Sequence, residues 1–137
     1  MIGTPEQDAF VRAMKAAIVT SLRKDGSPAT SLIFYAVEGD ELIFSTTIDR
    51  LKAKTLKRDP RAVLTVIDDG APYRYVSIEG PATVVEGDVV AEHITINRAM
   101  RNDPAWLPPE GYAETLRKQG RVVIRVRPGR VSGIVNR

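Results

Sequence analysis

Ala17-Ile18-Val19-Thr20-Ser21-Leu22-Arg23, then Lys24-Asp25-Gly26-Ser27, then Pro28-Ala29-Thr30-Ser31-Leu32-Ile33-Phe34-Tyr35-Ala36-Val37 decide the fold, and Glu38-Gly39-Asp40 and Glu41-Leu42-Ile43-Phe44-Ser45-Thr46 repeat the pattern. Three runs rich in β-branched and aromatic residues are joined by links of four and three residues. Asp25-Gly26 is a hairpin signal, because glycine enters the positive-φ region that a tight turn needs. A parallel crossover needs about a dozen residues, so links this short make the three strands antiparallel neighbours.

Working outward, Pro5 to Lys15 carries Phe10, Val11 and Met14 at helical spacing. Arg50 to Arg58 reads as a short helix with Asp49 as its N-cap, and Asp59-Pro60 stops it, since a residue before proline is pushed out of the α region. Ala62 to Asp68 and Tyr73 to Val85 are expected strands around an Asp69-Gly70-Ala71-Pro72 turn, with Gly80-Pro81 bending the second. Asp88 to Arg101 has helical spacing, Pro104, Pro108 and Pro109 mark a rigid loop, and Glu110 to Lys118 is a short helix. Strands follow at Arg121 to Arg127 and Arg130 to Val135. In the first, Val122, Ile124 and Val126 face one way, and Arg121, Arg125 and Arg127 face solvent or a partner. The expected architecture is mainly β (α+β): a single-domain antiparallel barrel of about six or seven strands with short flanking helices.

At 137 residues, with 43% apolar and 27% charged content, the chain suits one soluble globular domain. It has no cysteine, which excludes disulfides, thiolate metal sites and cysteine nucleophiles. Ala16-Ala17-Ile18-Val19 is too short for a signal core or a membrane span, so no membrane association and a cytoplasmic address are expected. No G-x-G-x-x-G, G-x-x-x-x-G-K or G-x-S-x-G spacing occurs, and one histidine with no cysteine argues against a zinc site, so no metal is expected. That residue, His93, shares a helical face with Val89, Ile96 and Met100, so a packed structural role is the better reading. No side chain stands out as a catalytic acid or base. If the chain is an enzyme, a cofactor must carry the hard chemistry.

Charge is unevenly spread. Asp49 to Arg61 holds six basic residues against two acidic, Asp68 to Glu114 nine acidic against three basic, and seven basic residues follow with no acid. Such blocks favour local anion sites over a nucleic-acid face. In Ser45-Thr46-Thr47-Ile48-Asp49-Arg50-Leu51-Lys52, hydroxyls at a strand end precede cations in the first helical turn, where Arg50 and Lys52 oppose the helix dipole. A bound phosphate would reverse the sign of that effect. On a regular helix the two cations would point roughly 200° apart, so both reach one anion only if Arg50 lies in the loop or cap. Arg50, Lys54, Lys57 and Arg58 otherwise make a stripe of the solvated kind.

The order Asp25-Gly26-x-Pro28, Ser45-Thr46, Arg50-x-Lys52, Arg58-Asp59-Pro60-Arg61, Tyr73-x-Tyr75-x-x-x-Glu79-Gly80 and Arg121-Val122-Val123 resembles the pyridoxamine-phosphate-oxidase-like split barrels. It is especially similar to their actinobacterial branch that binds the deazaflavin F420. The resemblance implies a split-barrel homodimer with cofactor grooves at the subunit interface and a small-molecule substrate. By position, Arg50 and Lys52 would hold the cofactor phosphate, supported by Ser45 and Thr46. Ala29, Thr30, Ser31 and Leu32 would line the ring, and Tyr73 and Tyr75 would form an aromatic wall. Ala29 and Leu32 replace polar side chains that some relatives carry, and features for binding the vitamin B6 substrate are not recognisable. The expected activity is hydride transfer from reduced F420 to an electron-poor organic substrate. FMN chemistry on the same barrel, or cofactor binding without turnover, are the alternatives.

Overall fold

A computed structural model of the chain describes residues 1–70 and 72–135. Chain order is α1 (Pro5–Ala13), β1 (Ala16–Leu22), β2 (Pro28–Glu38), β3 (Glu41–Thr47), α2 (Leu51–Arg58), β4 (Arg61–Asp68), β5 (Arg74–Val85), α3 (Val90–Met100), α4 (Tyr112–Gln119), β6 (Arg121–Val126) and β7 (Arg130–Ser132). Strands β1, β2, β3, β6, β5 and β4 pair in that cyclic order, and the β4–β5 ladder closes an antiparallel barrel. β7 adds to β5 as a seventh strand. This is the split barrel of the α+β class.

Two strands make the split. The first half of β2 pairs with β1 from Pro28 to Phe34, and its second half pairs with β3 from Tyr35 onward. β5 pairs with β4 up to Pro81 and with β6 from Ala82 to Val85. Gly80-Pro81 is therefore the place where β5 changes sheets. A Cβ at Gly80 would lie 1.9 Å from the Arg127 carbonyl oxygen, so only glycine admits that crossing.

Alternating residues fill the barrel with Val19, Ile33, Tyr35, Leu42, Phe44, Leu64, Val66, Val76, Ile78, Ile124 and Val126. The buried Tyr35 hydroxyl donates to the Val11 carbonyl at 2.7 Å, tying α1 to the barrel. A second cluster, Ala36, Ile43, Val89, Ile96, Leu116 and Val123, lies outside β3 and β6 beneath α3 and α4. It corrects the reading of β6. Val123 shares a face with Arg121 and Arg125 yet is fully buried, and Arg125 is paired with Glu38 and Glu41 at 2.8 and 3.1 Å. The helices cover a face that strand alternation alone assigns to solvent or a partner.

Other boundaries shift modestly. α1 stops at Ala13, after a capping box between Thr4 and Gln7 starts it. Tyr73 precedes β5, and the last strand ends at Ser132. Part of the expected Asp69–Pro72 turn, Ala71, lies outside the described residues. The Asp25-Gly26 hairpin forms as expected, with Gly26 at φ +88° and the Ser27 amide donating to Asp25 at 2.9 Å. Among the described residues no helix is long and apolar enough to cross a membrane, and no cluster of metal-ligating side chains occurs.

Candidate anion and cofactor site

Asp49 does not cap α2. Its carboxylate accepts from Thr47 Oγ1 at 2.6 Å, and the N-cap is Arg50, in extended backbone (φ −72°, ψ 149°) with no side-chain cap bond. Because Arg50 leaves the helical path, its side chain is freed from the helical angle that would separate it from Lys52. Both line one cavity of about 180 Å³, together with Ser21, Ala29, Thr30, Ser31 and Leu51.

The cavity wall opposite α2 is the first half of β2. Among the described residues, Ala29 to Ile33 pair with β1 only, so the second edge of that segment presents unpaired backbone donors and acceptors. The first turn of α2 contains no acid. Among the described residues, Arg50, Lys52 and Arg121 enter no ion pair. Lys52 has its pKa lowered, first by burial and then by the charges of Arg50 and Arg121. Three mutually repelling cations without carboxylates favour an anion among them. The neighbouring basic residues are differently employed: Lys57 pairs with Glu86 at 2.9 Å, and Arg58 donates to the Leu22 carbonyl at 2.7 Å.

The structure divides the residues expected from sequence. Arg50, Lys52, Ala29, Thr30 and Ser31 share the cavity, whereas Leu32 stands next to it on the exposed face of β2. Thr46 is buried. Ser45 faces the opposite side of β3 and lines a separate cavity of about 330 Å³ with His93, Asn97, Tyr112 and Arg121. Tyr73 and Tyr75 do not border the Arg50–Lys52 cavity; both are exposed, and Tyr75 sits opposite Ile67 on the outer sheet face. Arg121 lines the Ser45–His93 cavity while its charge acts on Lys52, a relation that strand alternation within β6 does not reveal. The sequence signals for it are its place in the acid-free basic block after Glu114 and in the Arg121-Val122-Val123 motif.

The outer face of the β2–β1–β4–β5 sheet carries an exposed apolar patch. Leu32, Ile18, Thr65 and Ser77 form one cross-strand row. Phe34 opposite Ala16 and Ile67 opposite Tyr75 extend the surface. Leu32 is 62% and Ile67 51% exposed, an uncovered patch of the kind that marks an interaction surface.

The closed six-stranded barrel, the β5 crossing and the cationic first turn of α2 define a split-barrel protein. The pyridoxamine 5'-phosphate oxidase family matches residues 4–134, and the chain belongs to that family. No curated protein matches the chain. Among solved structures, an F420 reductase is 28% identical with a TM-score of 0.72, over 91% of this chain and 94% of that one. An FAD-binding protein from Mesorhizobium loti is 18% identical (TM-score 0.73; 96% and 94% covered). A heme storage protein from Vibrio cholerae is 16% identical (TM-score 0.69; 98% and 95% covered). The last two likenesses show the shared fold alone.

Proposed function

We propose that the protein is an F420-dependent reductase that works as a homodimer on an electron-poor organic substrate. The observation that carries this reading is the meeting of Arg50 and Lys52, without carboxylate partners, at the unpaired edge of β2. The likeness to an F420 reductase favours the deazaflavin over FMN. His93 supports a flavin-type group over heme: both its nitrogens are engaged within the fold, by the Val89 carbonyl and by Ser45.

The residues fit a phosphate-bearing cofactor. Arg50 and Lys52 would supply charge-assisted hydrogen bonds to the phosphate, with the first backbone N–H groups of α2 alongside. Backbone groups of Ala29 to Leu32 would orient the ring. When bound, the cofactor supplies the hydride; this chain binds it, fixes its face toward the substrate and excludes water.

A cavity of about 180 Å³ is smaller than the roughly 300–1,000 Å³ of complete small-molecule sites. One protomer therefore supplies part of a site. The apolar face carrying Leu32, Phe34, Ile67 and Tyr75 lies next to it, and a second copy seated there completes the groove. On this reading Tyr73 and Tyr75 reach the ring from the partner subunit. Titration of the purified protein with F420 and with FMN tests the proposal. Binding of F420 without acceleration of any acceptor's reduction would instead identify a cofactor carrier.

A further inference from the structure

Ser45 and His93 meet in the cavity of about 330 Å³ on the face of β3 opposite Thr46. Ser45 Oγ lies 2.6 Å from His93 Nε2, and His93 Nδ1 lies 2.8 Å from the Val89 carbonyl oxygen. A carbonyl only accepts, so Nδ1 carries the proton and Nε2 is the acceptor for the serine hydroxyl. The imidazole is 3% exposed and held by α3, so this tautomer is built into the packing. Arg121 Nη1 stands 3.5 Å from Ser45 Oγ, and its Nε donates to Gln119 at 3.0 Å. Phe34, Ile96 and Met100 give the cavity apolar walls, and Ser45 itself is only partly buried.

A nucleophile bonded to a base that a third group orients is the arrangement that activates serine in covalent catalysis. We propose that Ser45 and His93 form a nucleophile–base pair that cleaves small carboxylic esters with apolar acyl groups, a second activity independent of any cofactor. Ser45 Oγ passes its proton to His93 Nε2 as the Oγ–C bond forms at the ester carbonyl. The carbonyl oxygen takes the negative charge, facing the Arg121 guanidinium. The C–O bond to the alcohol then breaks, and the alcohol leaves with the proton from Nε2. Water then gives a proton to His93 Nε2 as its oxygen bonds the acyl carbon, and His93 returns that proton to Ser45 Oγ as the Oγ–C bond breaks and the acid leaves.

Burial, foremost, together with the Arg121 charge, lowers the His93 pKa against opposing influences from the Val89 bond and from Glu92, which favours the neutral base near pH 7. The test is labelling of the full-length protein with diisopropyl fluorophosphate, in which a P–O bond to serine forms and fluoride leaves. We expect one adduct, mapped to Ser45 by peptide mass spectrometry, and a rate about 10²–10⁴-fold lower in His93→Gln. Absence of an adduct at Ser45, or an equal rate in His93→Gln, overturns the proposal. If His93→Gln does not fold, the pH dependence of wild-type labelling decides. A rate that is level from about pH 8 down through about pH 6.5, and falls only at lower pH as His93 takes up a proton, supports the pair. A rate that climbs about tenfold per pH unit up to pH 9 reports hydroxide-driven attack and overturns it.

Discussion

Arg50 and Lys52 line the same cavity although two positions on a regular helix point about 200° apart, because Arg50 is the extended N-cap residue and Lys52 stands in the first turn. The Asp49 carboxylate is drawn off by Thr47 and leaves the cap to a cation. On the proposed reading, what looks unfavourable for the helix dipole becomes an anion site.

Substitutions along α2 separate a site from a diffuse basic field. Arg50→Ala or Lys52→Ala should weaken cofactor binding by about 1.5–3 kcal/mol, the scale of a hydrogen bond to a charged group. Lys54→Ala and Lys57→Ala should change it by less than about 0.5 kcal/mol, since exposed charges act weakly through solvent. Calorimetric titration reads all four; equal losses would show that no localised site exists.

The apolar sheet face predicts assembly. Ile67→Asp places a charge on that face without touching the barrel interior, so the fold should persist while sedimentation at micromolar concentration shifts from dimer to monomer. Cofactor affinity should fall with it if, as proposed, one protomer holds only part of the site. A monomeric variant that binds as tightly as wild type would refute the interface site.

His93 sets a pH window for stability. Burial lowers its folded-state pKa below the ordinary 6.5, so the unfolded chain takes up the proton first. Its contribution is therefore full above pH about 6.5 and declines as pH falls toward the folded-state value. Urea midpoints between about pH 7 and 5 should show this decline in wild type and a shallower one in His93→Gln. The carboxylates with lowered pKa values, such as Asp8 and Asp59, act further down the scale. Identical slopes would mean that His93 is not held neutral by burial.

Local features of the fold were legible in the sequence. Asp25-Gly26 announces its hairpin because only a positive-φ residue fits there, and Asp59-Pro60 ends α2 for an equally local reason. The crossing of β5 at Gly80-Pro81 was visible only as a bend, since the change of partners depends on Arg127, nearly fifty residues away in sequence. The covering of Val123 by α3 and α4 escaped strand alternation because that pattern describes a sheet, not what packs upon it. For the site, the pairing of Arg50 with Lys52 depended on cap geometry, which spacing could frame but not decide. Ser45 and Thr46 read as one supporting pair, yet the pleat sends them to opposite faces of β3.

Equilibrium titration of the wild-type protein with F420 and FMN, followed by fluorescence, decides whether a deazaflavin site lies at the unpaired edge of β2. Saturable F420 binding at one equivalent per protomer, tighter than FMN and weakened in Arg50→Ala, is the expected result. Binding of neither cofactor, or F420 binding unchanged in Arg50→Ala, would contradict it.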